Sequence, residues 1–179
     1  KDYYQNGDSP MLLGAHMSVS GGLSLAFERA QSISTNTMQV FTKNQNRWEQ
    51  KPAPPEEIER WFKARTATGI DPVVSHAAYL LNLGTPDDAL WEKSVNALVD
   101  ELTRAEQLGI LGVVLHPGAH MTSGEDAGIA RIAAGLNKAH AATHSKLLDA
   151  SAEVFAEVGF RTATVRQICE RAGANIAAV

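Results

Sequence analysis

The chain has 179 residues, a formal net charge of −4, 44% apolar and 20% charged side chains, six histidines and one cysteine. This balance excludes wholesale disorder, and the length accommodates one domain or two small ones. No apolar run reaches the ~18 residues of a membrane span, and the mild acidity excludes a surface that is basic throughout while leaving room for a local nucleic-acid patch.

Residues 1–10 are polar and lack the apolar centre of a secretory signal. Met11 reads as a more natural start, so 1–10 is treated as a leader. Met11-Leu12-Leu13-Gly14-Ala15-His16 is a short apolar run closed by a polar residue. After the Gly21-Gly22 turn, Leu23, Phe27, Ala30 and Ile33 repeat at helical spacing. Thr37-Met38-Gln39-Val40-Phe41 reads as a second strand, and Ile58, Trp61, Phe62 and Arg65 mark a second helix after the prolines at 52–55. Asp71-Pro72-Val73-Val74-Ser75-His76 is a third strand. The third helix has Thr85 as its cap, Pro86 in its first turn and Asp87 and Asp88 at the positive end of its dipole. Trp91, Val95, Leu98, Val99, Leu102 and Ala105 line one face of it, and Gly109 stops it. Gly112-Val113-Val114-Leu115-His116 lacks alternation and reads as a fourth strand buried on both faces. Ile129, Ile132 and Leu136 begin a fourth helix.

Four βα units in a row predict a parallel sheet. His16, His76 and His116 each fall where a strand gives way to a loop, the end at which βα barrels carry their sites. A histidine so placed either bonds to its loop or serves a site; three on one rim make the second reading worth testing.

Beyond about residue 140 the pattern is purely helical, and basic and acidic side chains balance there. Leu147, Leu148, Ser151, Val154, Phe155 and Val158 mark a helix ended by Gly159. Thr164 and Gln167 form a capping box for a short helix with Val165, Ile168 and Cys169 inward. Ala172-Gly173-Ala174 is a turn, and Asn175 caps a further helix. That order fits a helix-turn-helix or an ordinary helical hairpin. The single cysteine, Cys169, excludes an intrachain disulfide framework and suits a reducing cytoplasm.

Five motifs carry a family resemblance. Gly14-Ala15-His16, Gly21-Gly22-Leu23, Phe41-Thr42-Lys43-Asn44-Gln45, His76 with Tyr79-Leu80-Leu81-Asn82-Leu83, and His116-Pro117-Gly118-Ala119-His120 resemble endonuclease IV, in order and over residues 11–139. The resemblance implies a TIM-barrel apurinic/apyrimidinic endonuclease with three zinc ions that cleaves DNA 5′ to an abasic site. It implies His76 and His116 as two ligands of the most solvent-exposed zinc, with His16 near the metal but not bound to it. It also implies that the Gln45-Asn46-Arg47-Trp48 loop, Tyr79 and Asn82 contact DNA from which the abasic nucleotide is flipped out. Asn46 departs from the family, which often has arginine there. Trp48 reads either as an apolar plug on the rim or as a DNA contact, and Lys43 equally as part of that DNA-facing loop or as a solvated charge. His120 receives no ligand role.

From His140 the resemblance ends. His140 and His144, four apart, are spaced to reach one metal from a helix but precede no strand and read rather as a surface helix pair, and Glu125 and Asp126 read as the start of the fourth helix rather than as metal ligands. The segment 143–179 resembles the N-terminal helix-turn-helix of TetR-type repressors. The expected architecture is therefore α/β, the first half of a TIM barrel over 11–139, followed by an all-α helix-turn-helix segment over 140–179. The expected function is that of a zinc-dependent abasic-site endonuclease, incomplete as it stands, with at most one weakly held zinc and no residue assigned to the catalytic step. The alternatives are a TetR-type DNA-binding segment and an inactive chimeric or truncated product. DNA is the expected partner, self-association through open sheet edges is possible by this pattern, no membrane is implicated, and the expected location is cytoplasmic.

Overall fold

The structure is a computed structural model that describes residues 11–158 together with Gln167 and Arg171. Four βα units follow one another: β1 (Gly14–Met17), α1 (Leu25–Ser32), β2 (Thr37–Val40), α2 (Pro55–Thr68), β3 (Val73–His76), α3 (Asp88–Gln107), β4 (Val113–Val114) and α4 (Glu125–Val158). The strands form one sheet in the order β1-β2-β3-β4, and every neighbouring pair is parallel.

Register divides the side chains between two faces. Met38 pairs with Val73 and Val40 with Ser75, and this face is sealed by the helices. Phe27, Met38, Val40, Trp61 and Val73 are buried in one cluster, where Trp61 meets Phe27 edge-on at 4.7 Å and donates its indole N–H to the Leu108 carbonyl at 2.8 Å. A buried indole is stable when its donor is satisfied in this way. On the opposite face His16 pairs with Gln39 and His76 with Val114. No element covers that face among the described residues, and Val114 is 46% exposed. The expectation that β4 is buried on both faces is thus corrected. With no further described strand beside it, only the helix side of β4 is packed, and Val113 alone is half-buried.

The helix ends follow local chemistry. Gly69 at φ +68° ends α2 in the left-handed conformation that glycine adopts without a Cβ penalty. The cap of α3 is Asp87, whose carboxylate accepts from the Leu90 N–H at 2.8 Å; Thr85 does not cap the helix but accepts from the Asp87 N–H at 3.2 Å. The buried face of α3 comprises Ser94, Val95, Ala97, Leu98, Glu101, Arg104 and Ala105. Trp91, Val99 and Leu102 are only half-buried, so the stripe is rotated from the expected one, because α4 and the loops as well as the sheet pack on this helix. Glu125 and Asp126 open α4.

Helix α4 passes residue 140 without a break in its 34 residues, so the two helical patterns on either side of that point lie on one helix. Ala139 and Val154 are buried on it. Arg171 pairs with Glu153 at 3.1 Å and with Glu157 at 2.6 Å. The remainder of the expected helix-turn-helix, including Thr164, Val165, Ile168, Cys169 and Asn175, lies outside the described residues. Among those residues, no helix is long and apolar enough to cross a membrane.

Candidate functional site

The carboxyl ends of the strands gather a run of rings. His76 lies 5.3 Å from His116 and 5.1 Å from Tyr79, centre to centre, and Tyr79 lies 5.6 Å from His116. Phe41 touches this trio, 5.7 Å from His76 and 6.0 Å from Tyr79. His16 joins through Phe41 at 4.4 Å. The three histidines therefore share one rim, although His16 sits within β1 rather than just beyond it.

Each histidine is held differently. His76 is buried, and its Nδ1–H donates to the Ala77 carbonyl at 2.7 Å. That bond fixes the tautomer and leaves the Nε2 lone pair for a ligand role, the usual arrangement behind a metal-binding imidazole. His16 Nδ1 lies 3.1 Å from Gln39 Oε1. His116 is exposed on the loop after β4.

Asn82 ties the loops after β3 and β4 together. Its Oδ1 accepts from the Gly84 N–H at 3.0 Å and from the Ala119 N–H at 2.9 Å, while Leu83 N–H donates to the Pro117 carbonyl at 2.8 Å. Gly118, at φ +113°, lies so close that a Cβ there would overlap Asn82 Oδ1 and fall 2.8 Å from the Asn82 Cα.

The loop after β2 rests on a buried polar cluster. Lys43 is not a solvated charge: it is 3% exposed, and its Nζ lies 2.7 Å from Asp100 and 3.7 Å from Glu101 while donating to the Trp48 carbonyl at 3.2 Å. Arg104 braces the same loop from α3 by donating to the Gln50 carbonyl and, at 3.0 Å, to the Lys51 carbonyl. Trp48 is half-buried against the cluster that includes Ala97 and Leu98, with Lys93 Nζ 4.5 Å from its ring centre. Asn46 and Arg47 are exposed and Gln45 is half-buried. A cleft of about 860 Å³ runs between this loop and the one after β1, with His16, Phe41, Asn44, Gln45 and Asn46 in its walls. It opens beside the His76–His116 pair, not over it.

Sequence reasoning passes over Asp100, Glu101 and Arg104. One signal is present: Glu101 falls between Leu98 and Ala105 on an apolar stripe, a position where a carboxylate is stable only with dedicated partners.

Two imidazoles sharing a tetrahedral ion, with Zn–N bonds of about 2.0–2.1 Å, put their ring centres about 5 Å apart. The 5.3 Å between His76 and His116 fits that arrangement. The pair offers two imidazoles only; among the described residues no group of three or more histidine, cysteine, aspartate or glutamate side chains is placed to hold a metal. A family model, the xylose isomerase-like TIM barrel, matches residues 27–178.

The chain belongs to that family. Within it, the chain is 51% identical over 120 residues to the probable endonuclease 4 of Chloroflexus aurantiacus, covering 67% of this chain and 42% of the relative. It is 36% identical over 163 residues to the probable endonuclease 4 of Citrifermentans bemidjiense, covering 89% of this chain and 58% of the relative. The crystal structure of endonuclease IV from Thermus thermophilus superposes with a TM-score of 0.63 at 38% identity, over 70% of this chain and 45% of that one. The chain thus spans about half the length of the relatives it matches. None of these matches supports a repressor-like tail, and the family match itself continues through residue 178.

Proposed function

We propose that this xylose isomerase-like chain carries the first four βα units of an apurinic/apyrimidinic endonuclease, with His76 and His116 as zinc ligands and with Tyr79, Asn46 and Arg47 facing DNA. The observation that carries this reading is the convergence of His76, His116 and Tyr79 on one rim of a parallel sheet. Zinc at such a rim supplies Lewis acidity and an activated water for phosphodiester hydrolysis. The chain's own part is to aim. The Ala77 carbonyl orients His76, Asn82 anchors the loop that carries His116, and the 61% exposed Tyr79 ring offers a face for stacking. His16 orients against Gln39 beside them.

Two ligands make an incomplete zinc site, since catalytic zinc usually has three protein ligands plus water. The chain by itself is therefore proposed to bind abasic-site duplex weakly, through salt-sensitive contacts, and to incise it little or not at all. A two-part experiment tests the reading. Duplex binding of the chain is measured with and without an abasic site, and residues 11–139 are grafted in place of the matching segment of the Chloroflexus aurantiacus relative. The expected results are a preference for abasic duplex and a hybrid that incises it, with incision lost in His116→Ala. Equal binding to both duplexes, together with a folded but inactive hybrid, would overturn the proposal.

A further inference from the structure

We propose that Glu101 is a positioning residue that locks the loops after β2 and β3 in one fixed relation, so that Gln45, Asn46 and Arg47 on one and Tyr79 on the other meet DNA as a single surface. This rests on the functional reading above. Glu101 belongs to α3 and is 1% exposed, so it touches no DNA itself. Its two carboxylate oxygens are divided between the loops. Oε2 accepts from Thr42 Oγ1 at 2.8 Å, two residues beyond the end of β2. Oε1 accepts from the Ala78 N–H at 3.2 Å, two residues beyond the end of β3. Lys43 Nζ, 3.7 Å from Oε1, offsets the charge and passes the constraint on to the Trp48 carbonyl.

An apolar residue would continue the stripe between Leu98 and Ala105 without the cost of burying a carboxylate. A carboxylate in that place is stable only because each oxygen is matched. Its distinct contribution is geometric: a rigid helix holds two neighbouring loops by one planar group. Catalytic and binding groups need such fixed support to keep their mutual geometry.

Amide hydrogen exchange and nitrogen-15 resonances of the whole chain test the proposal. In Glu101→Ala the Ala78 amide should exchange about tenfold faster, the scale expected for a lost bond to a buried charged group. Resonances of 44–50 and 77–82 should shift together while those of α1 stay in place. Thr42→Val cuts one tie only and should move 44–50 while leaving Ala78 protected. Glu101→Gln can still accept from Ala78 and donate to Thr42; it should restore both the exchange pattern and the affinity for abasic-site duplex, which Glu101→Ala should lower about tenfold. An unchanged Ala78 amide in Glu101→Ala, or failure of Glu101→Gln to rescue, overturns the proposal. If Glu101→Ala does not fold, the Thr42→Val and Glu101→Gln exchange patterns decide it. A wild-type chain that binds abasic and intact duplex alike would overturn the functional reading and leave the exchange result to judge Glu101.

Discussion

Asn82 and Ala119 are joined by a 2.9 Å bond from the Ala119 N–H to the Asn82 side-chain oxygen, which links the loop after β3 to the loop after β4. The link leaves no room for a side chain at Gly118, whose added Cβ would overlap Asn82 Oδ1 and lie 2.8 Å from the Asn82 Cα. Gly118→Ala should therefore destabilise the fold by about 2 kcal/mol or more, from both the contact and the positive φ. Asn82→Ala should cost about 1 kcal/mol through its unpartnered N–H groups. The double variant should cost less than the sum, because the side-chain half of the clash is gone. Urea unfolding of all four proteins measures this, and strict additivity would refute the close approach.

Much of this arrangement is legible in the residues, and the misreadings have identifiable causes. The βα alternation places His76 and His116 correctly because strand patterns end sharply at polar residues, and each histidine comes shortly after a β-branched pair. The apolar run of β4 misleads because it reports what a strand is suited to, whereas burial depends on whether a neighbour is present. Thr85 reads as the cap because Pro86 fits a first helical turn, but Asp87 offers a carboxylate one residue before the helix starts, and Thr85 supports it instead. The residues leave Lys43 open between a loop role and a solvated charge because its partners lie far along the chain, Asp100 at 57 positions and Glu101 next to it, beyond any local pattern.

Acid should weaken the junction between α1 and α2. Glu57 accepts from the N–H of Leu23, two residues before α1, and lies 2.6 Å from Arg60. The Arg60 hydrogen bond, with the Leu23 and Ser24 amides behind it, holds the Glu57 carboxyl below its ordinary value of 4.5 against the opposing effect of burial. A carboxyl depressed in the folded state contributes stability above its unfolded pKa and loses that contribution as pH falls through the folded one. The urea midpoint should accordingly drop as pH is taken below 4.5, and Glu57→Gln should flatten that drop. Identical acid profiles for the two proteins would sink the assignment.

Zinc uptake should depend on the rim pair and not on the helix pair. Competition with a chromophoric chelator should show His76→Ala and His116→Ala each weakening binding by more than about tenfold, as loss of a direct ligand does. His140→Ala, on the exposed flank of α4, should leave it within about threefold on the same scale. Binding that survives both rim substitutions would place the metal elsewhere.

Both outer strands of the sheet, β1 and β4, lack a described partner on one side. Unpaired parallel edges with apolar neighbours such as Leu12, Leu13 and Val114 favour strand addition from a second copy. Sedimentation velocity should show mass increasing with protein concentration, and Val114→Lys should shift that increase to higher concentration. A single sedimenting species at every concentration, identical in the variant, would exclude edge pairing.

The strands lie in the sheet in the order in which a ribosome makes them. His16 finds Gln39 23 positions later, and Thr37 finds the Pro72 carbonyl 35 positions later, so each pairing closes only a modest loop. A nascent chain can lay down β1 and β2 before α3 exists, and each new strand docks on the one synthesised just before it. Glu101 arrives late in that sequence, after both loops it grips have emerged, so the rim is fastened only when α3 is in place.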